Sequence, residues 1–356
     1  MKQLGRAFLV LTAGLLPGLA LVTSATGTTV RGASRIKHIS NPIAAFALDG
    51  NRVAYGIHPA SSLDRVDVWD FGTGKTTTVS GIRTQEDGFS PQGIGVYQVA
   101  IAGTRVAWLT SVGGKAGGHD YVFASSATKP KERLVDTEDH LGGTCVGDFT
   151  KGCAGNWLGG VVGSGSLIAL NRWTTDSQGT ITTGGLYALK GTRMSKFASG
   201  SDTVEAAVAS GSRVAVLRQD GSVGVYSSSG KSLLNLPLAG GKGLALNGRN
   251  LLVLTKPRTL QLYDAKTGAR VRTFSPRGTV APRNLDVQGK TALYTTGSAV
   301  HLVNLSSGKD RVFAEHRGGV LFAALDRAGL VYGGNGYGSK GTLIFVPFAR
   351  VAAAVG

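Results

Sequence analysis

The residues of this chain that could do chemistry are few and scattered. His119-Asp120 and His140 place imidazoles beside carboxylates and could trade protons as general acid and base. Asp136, Glu138, Asp139 and Asp148 gather around His140, and oxygen ligands of that type suit calcium. Their spacing matches no calcium loop, and no G-x-S-x-G or similar nucleophile motif accompanies the histidines. The sequence therefore points away from catalysis and implies no cofactor and no metal site. Cys145 and Cys153, in TCVGDFTKGC, are the two cysteines of the chain. Two thiols are too few for a structural zinc site, and the spacing is not C-x-x-C. In an exported protein such a pair closes a short disulfide loop. On the chain-entropy model that loop contributes about 2–3 kcal/mol.

The other chemical signal is charge. The formal net charge is +17, and removing Lys2 and Arg6 with a leader would leave +15. Charge of this size speaks to partners rather than to fold. It is densest from Lys242 to Arg283, with nine Lys or Arg against one acid, Asp264. Within that run, Lys242, Lys256, Arg258, Arg277 and Arg283 fall in loops and form the candidate ligand-binding residues. The expected partner is a protein or an anionic cell-envelope polymer. Dedicated nucleic-acid binding is not expected, because the basic run lacks interleaved stacking aromatics. General use of arginine without a partner is the competing explanation of the charge.

The elements that must position these residues are written as a repeat. LDGNRVAYG from Leu48, IAGTRVAWL from Ile101 and ASGSRVAVL from Ala209 share a Gly, a polar residue, Arg, Val, Ala and a large apolar residue. Aligned on Gly50, Gly103, Gly165, Gly211, Gly248, Gly289 and finally Arg327, the copies are offset by 53, 62, 46, 37, 41 and 38 residues. A period near 40 with insertions in the early copies marks a repeat architecture. Each copy reads as a run of small apolar residues, a glycine turn, a second strand such as RVAYG, a third such as VDVWD or LQLYD, another glycine turn and a fourth strand. That pattern predicts an all-β, seven-bladed β-propeller of four-stranded antiparallel blades. Small residues suit strands crowded round an axis. Trp69, Tyr226 and Tyr263 are expected to pack between blades rather than to form a ligand cage.

The predicted organisation is a secretory signal over 1–25, a linker over 26–33, one propeller over 34–350 and a C-terminal tail over 351–356. The signal rests on Lys2 and Arg6, an apolar stretch over 7–22 and small residues over 23–25. An uncleaved membrane anchor is the alternative. Residues 34–40, SRIKHIS, have the rhythm of a fourth strand without the other three, and are expected to close the last blade against 342–348. The rival is a fourth strand from 350–355.

VDVWDFGTGK and LQLYDAKTGA carry a resemblance to the β-propeller repeat superfamily, similar to WD-repeat and quinoprotein-like propellers. It covers about residues 34 to 350 and implies fold alone, since propellers range from scaffold to lyase to dehydrogenase. The Gly-His dipeptide of WD repeats is missing from most copies, and no quinone-ligand pattern is present.

In an up-and-down meander, second-to-third strand loops and blade connections emerge at one end. Expected insertions at that end are 58–64, 111–120, 173–184 and 333–341, with long connections at 81–92 and 136–156. Long loops on a rigid scaffold are where binding concentrates. The reading is a secreted, monomeric, non-catalytic binding or scaffold propeller presenting a basic, loop-rich face. The alternative is an extracytoplasmic hydrolase or lyase acting on an acidic carbohydrate, for which convergence of His119, His140 and Asp87 is the discriminating geometry. A third reading is an assembly factor whose blade edges recruit partner strands.

Overall fold

The structure is a computed structural model; it describes residues 34–59, 64–80, 94–114, 117–138, 154–178, 180–199, 204–315, 321–335 and 340–356. Twenty-eight strands form seven four-stranded antiparallel sheets arranged as a propeller.

Blade 1 comprises β2 (Ile43–Asp49), β3 (Arg52–Ile57), β4 (Arg65–Asp70) and β5 (Thr76–Thr78). Blade 2 comprises β6 (Ile94–Ala102), β7 (Arg105–Gly114), β8 (Gly117–Ser126) and β9 (Arg133–Thr137). Blade 3 follows with β10 (Gly155–Ser164), β11 (Leu167–Thr175), β12 (Ile181–Lys190) and β13 (Arg193–Ser199). Blade 4 is β14 (Val204–Ser210), β15 (Arg213–Arg218), β16 (Val223–Ser227) and β17 (Ser232–Leu236). Blade 5 is β18 (Gly243–Asn247), β19 (Asn250–Lys256), β20 (Thr259–Asp264) and β21 (Arg270–Phe274). Blade 6 is β22 (Asp286–Gln288), β23 (Thr291–Thr295), β24 (Ala299–Asn304) and β25 (Asp310–Glu315). Blade 7 takes β26 (Leu321–Leu325), β27 (Gly329–Asn335) and β28 (Gly341–Pro347) from the end of the chain, and β1 (Arg35–Ile39) from its beginning.

The second strand of a blade is apolar on both faces because both faces are buried. Side chains alternate across a strand, so neighbours along it serve different gaps. In β19, Leu251 and Val253 pack toward blade 4, while Leu252 and Leu254 pack toward blade 6. In β15, Val214 and Val216 face blade 3, and Ala215 and Leu217 face blade 5. The buried apolar residues form seven clusters, one in each gap between neighbouring blades. Trp69 and Tyr263 are buried in two of these gaps, and Tyr226 packs against a third.

The recurring Gly-x-Arg has a further task that the sequence did not disclose. Gly50, Gly103, Gly165, Gly211, Gly248 and Gly289 all adopt φ between 56° and 62° in the tight turn between first and second strands. The residue before the glycine reaches the next blade. Asp49 accepts the Gly103 N–H at 2.6 Å and, because Ala102 has no acceptor, reaches past blade 2 to the Gly165 N–H at 2.9 Å. Ser164 Oγ accepts Gly211 N–H at 3.1 Å, and Asp326 accepts Gly50 N–H at 2.6 Å. The residue two after the glycine reaches the same way. Arg52 donates to Gly103 O, Arg105 to Ser166 O, Arg213 to Gly248 O, and Asn250 to Gly289 O. Blades 1 and 5 latch to their successors through both a donor and an acceptor, and blades 2, 3, 4 and 7 through one of the two. A side chain at Gly165 would crowd the Cα of Gly211 at 3.3 Å, so that turn also approaches its neighbour too closely for a larger residue.

The ring closes where β1 pairs with β28 in an unbroken register from Arg35↔Phe345 to Ile39↔Gly341. Asn335 holds both backbone groups of Ile43 across that seam, and Phe71 stacks on Phe345 with centroids 3.9 Å apart. Residues 348–355 form a helix, α1 (Phe348–Val355), rather than a fourth strand. Val351 and Val355 bury between blades 6 and 7. No described helix is long and apolar enough to cross a membrane. The leader and linker, 1–33, lie outside the described residues, as do Cys145 and Cys153 with their expected disulfide.

Two expected loops are largely strand. Of 111–120, residues 111–114 and 117–120 extend the β7–β8 hairpin, and of 173–184, only 176–180 separate β11 from β12. In the second segment Ser177, Gln178, Thr180, Thr182 and Thr183 are exposed, so no apolar alternation marks it as strand. The other end of the propeller has two-residue turns between first and second strands in blades 1–6.

Replacing Asp49 with Ala orphans two turn N–H groups and is expected to cost about 2–3 kcal/mol, with Asn losing less. Urea unfolding of both variants checks this, and equal stabilities for all three proteins would contradict the latch.

Candidate functional site

The end that carries the long loops has two unlike halves. Over blades 5 and 6 it is basic. Lys242 lies just before β18, Lys256 and Arg258 flank Pro257 in the β19–β20 turn, and Arg277 and Arg283 belong to the connection into β22. Backbone contacts draw these three segments together. The Val280 N–H donates to Pro257 O at 2.9 Å, and Lys242 N–H to Leu254 O at 2.7 Å. Gly243 abuts the short 3-10 helix Pro282–Asn284, where an added Cβ would lie 2.9 Å from Pro282 O. All five side chains are exposed, and none has an ion-pair partner among the described residues. The remaining cations of the 242–283 run sort elsewhere. Arg249 pairs with Asp264 at the opposite end, Lys266 lies in the β20–β21 turn, and Arg270 and Arg272 sit on outer strand β21.

A buried polar bracket supports this half. Tyr294 and His301 face one another across β23 and β24 with rings stacked 4.5 Å apart. The Tyr294 hydroxyl donates to Asp310 and accepts the Arg277 N–H at 2.8 Å, with His301 Nδ1 3.0 Å away. Asn284 donates to Thr295 Oγ1 and to Leu321 O, which pins the other arm of the connection. The sequence showed no sign of this bracket because its members lie on three strands and a connection, each with an ordinary strand residue's neighbours.

Over blades 2 and 3 the same end is acidic and aromatic. Tyr97 on β6 donates to Asp120 Oδ2 on β8 at 2.7 Å. Glu138, after β9, is buried and shares a hydrogen bond with the Asp120 carboxylate. Burial, then the charge of Asp120, raise the Glu138 carboxyl to about 8, so it holds its proton at neutral pH. Burial also raises the Tyr97 hydroxyl, reinforced by Asp120. Alongside, Trp157 and Trp173 lie parallel across β10 and β11 with centroids 6.4 Å apart. Asp136 pairs with Arg172 at 2.8 Å. Asp136 and Glu138 thus have partners inside the protein, which removes two of the four oxygen donors considered for calcium. His140, Asp139, Asp148 and Asp87 lie outside the described residues, as does the side chain of His119. Among the described residues, no group of three or more His, Cys, Asp and Glu is placed to hold a metal ion.

No family model matches the chain, and no curated protein matches it in sequence. In structure it is similar to the WD40 β-propeller domain of Doa1, with a TM-score of 0.53 at 12% identity, over 89% of this chain and 97% of that one. The resemblance to WD-repeat propellers is one of fold.

Glu138 is protonated in the folded protein up to about 8, whereas an unfolded glutamate loses its proton near about 4.3. Stability from this group therefore falls as pH rises through that window. Asp286, buried between blades 6 and 7 and raised to about 7 by burial, adds a decline that ends at lower pH. Glu138→Gln is expected to flatten the melting temperature between pH 7 and about 8, where Asp286 no longer contributes. An unchanged profile in thermal melts would show that Glu138 is not held neutral.

Proposed function

We propose that this protein is a secreted, monomeric binding or scaffold propeller, and that its basic half engages a protein or an anionic envelope polymer. The rigid seven-bladed fold is consistent with a binding role. The observation that carries the reading is the five exposed cations, Lys242, Lys256, Arg258, Arg277 and Arg283, drawn onto one end with no ion-pair partner for their side chains among the described residues. Some cations elsewhere are paired internally: Arg52 with Asp70, Arg65 with Asp67, Arg172 with Asp136. Leaving five like charges together without partners costs repulsion, and an anionic ligand relieves it. Their mounting on turns pinned by Pro257, Tyr294 and Asn284 limits the ordering cost of binding.

A hydrolase or lyase acting on an acidic carbohydrate is favoured by one observation, the proton held on Glu138 beside Tyr97 at the same end. Against it stands the geometry. Glycosidase carboxyls are separated by about 5–9.5 Å to admit a sugar carbon or a water, whereas Glu138 and Asp120 are hydrogen-bonded to each other. The binding reading is therefore preferred.

The test is retention on isolated cell envelope at rising ionic strength. Screening shortens from about 10 Å at 0.1 M to about 3 Å at 1 M salt, so retention should collapse over that range. Lys256→Glu with Arg258→Glu should reproduce the loss at low salt while leaving the melting temperature unchanged. Retention that ignores both salt and charge reversal, or no retention at all, would remove this reading.

A further inference from the structure

Five of the six exposed large apolar side chains among the described residues lie on outermost strands: Ile36, Leu134, Leu233, Val271 and Val312. Four of these follow an arginine directly: Arg35, Arg133, Arg270 and Arg311. An outermost strand presents an unpaired row of backbone donors and acceptors, which proteins blunt with bulges, shortness or charge. Here the devices can be assigned blade by blade. The outer strands of blades 2 to 6 each carry a register shift against their third strand. Such bulges twist the edge away from a would-be partner. The outer strand of blade 1, β5, has only three residues.

Strand β1 has neither device. Its five residues pair with β28 in continuous register, so its outward edge is regular from Arg35 to Ile39. Among the described residues, only charge guards it. Arg35 and Lys37 project to one face without an ion-pair partner among the described residues, and Ile36, 58% exposed, projects to the other. That pattern selects its occupant. A second copy pairing antiparallel about Lys37 would set lysine against lysine, which is destabilising. A strand with carboxylates opposite Arg35 and Lys37 and an apolar residue opposite Ile36 satisfies the first three of the five positions.

We infer that the free edge of β1 is a strand-addition site for an extended partner segment alternating acidic and apolar residues. Main-chain hydrogen bonds supply the affinity, and the alternating side chains supply the register. The site lies on the outer circumference of blade 7, away from the basic loops over blades 5 and 6, so either can fail without the other.

A fluorescent, capped peptide alternating Glu and Val, with the full chain titrated in, tests this by anisotropy. Binding is expected, together with slowed amide exchange confined to β1. Arg35→Glu with Lys37→Glu should weaken it by about tenfold or more, since two cross-strand attractions become repulsions. Because β1 closes the ring, a melting curve must show that variant folded. Should it unfold, the wild-type exchange pattern decides alone. Arg270→Glu with Arg272→Glu, on bulged β21, should leave binding intact. The same peptide with alternate Val replaced by Pro keeps its charge but cannot donate to a ladder, and should not bind. Equal binding of the proline peptide, loss of binding through the β21 variant, protection elsewhere than β1, or no binding would each overturn the inference.

Discussion

A blade of this protein cannot bury itself. Each four-stranded sheet has apolar side chains on both faces of its second strand, and either face finds cover only against a neighbouring blade. Seven gaps therefore hold seven clusters, and each gap depends on both of its walls. Apolar contact is non-directional, so it would tolerate blades that slide or tilt against one another. The turn latches remove that freedom. Asp49, Ser164 and Asp326 hold turn N–H groups of other blades, while Arg52, Arg105, Arg213 and Asn250 hold turn carbonyls. Burial supplies most of the stabilisation, and the latches set the spacing at which it occurs.

With one end fixed by short, linked turns, the other end can vary. The long hairpins of blades 2 and 3 and the basic turns of blades 5 and 6 rest on different sheets and share no backbone segment. A proton-holding carboxyl with paired tryptophans occupies one half, and five cations the other.

Much of this was legible in the residues. The glycine-led repeat gave the blade count, and topology then placed Lys242, Lys256, Arg258, Arg277 and Arg283 at one end. The roles that escaped are those spread across sequence. Arg52 reads as a polar residue facing solvent, yet its acceptor is Gly103 O, 51 residues on. Glu138 reads as one carboxylate in a loop, but its character comes from Asp120 and burial. Residues 111–114 and 117–120 read as loop because strand signals rest on apolar alternation, which SVGG and GGHD lack. The bulges of the outer strands left no trace either, since a bulge is a relation between two strands and one strand's letters do not encode it.

The seam between β1 and β28 has a consequence for the birth of the molecule. Translation produces Arg35–Ile39 first and Gly341–Pro347 almost last, and the two are mutual partners. Until β28 is present, β1 lacks its ladder partner. Contacts so distant along the chain form slowly, because a very long loop must close before they reward it. A chain truncated before β28 would therefore keep an open blade and a first strand without its ladder partner.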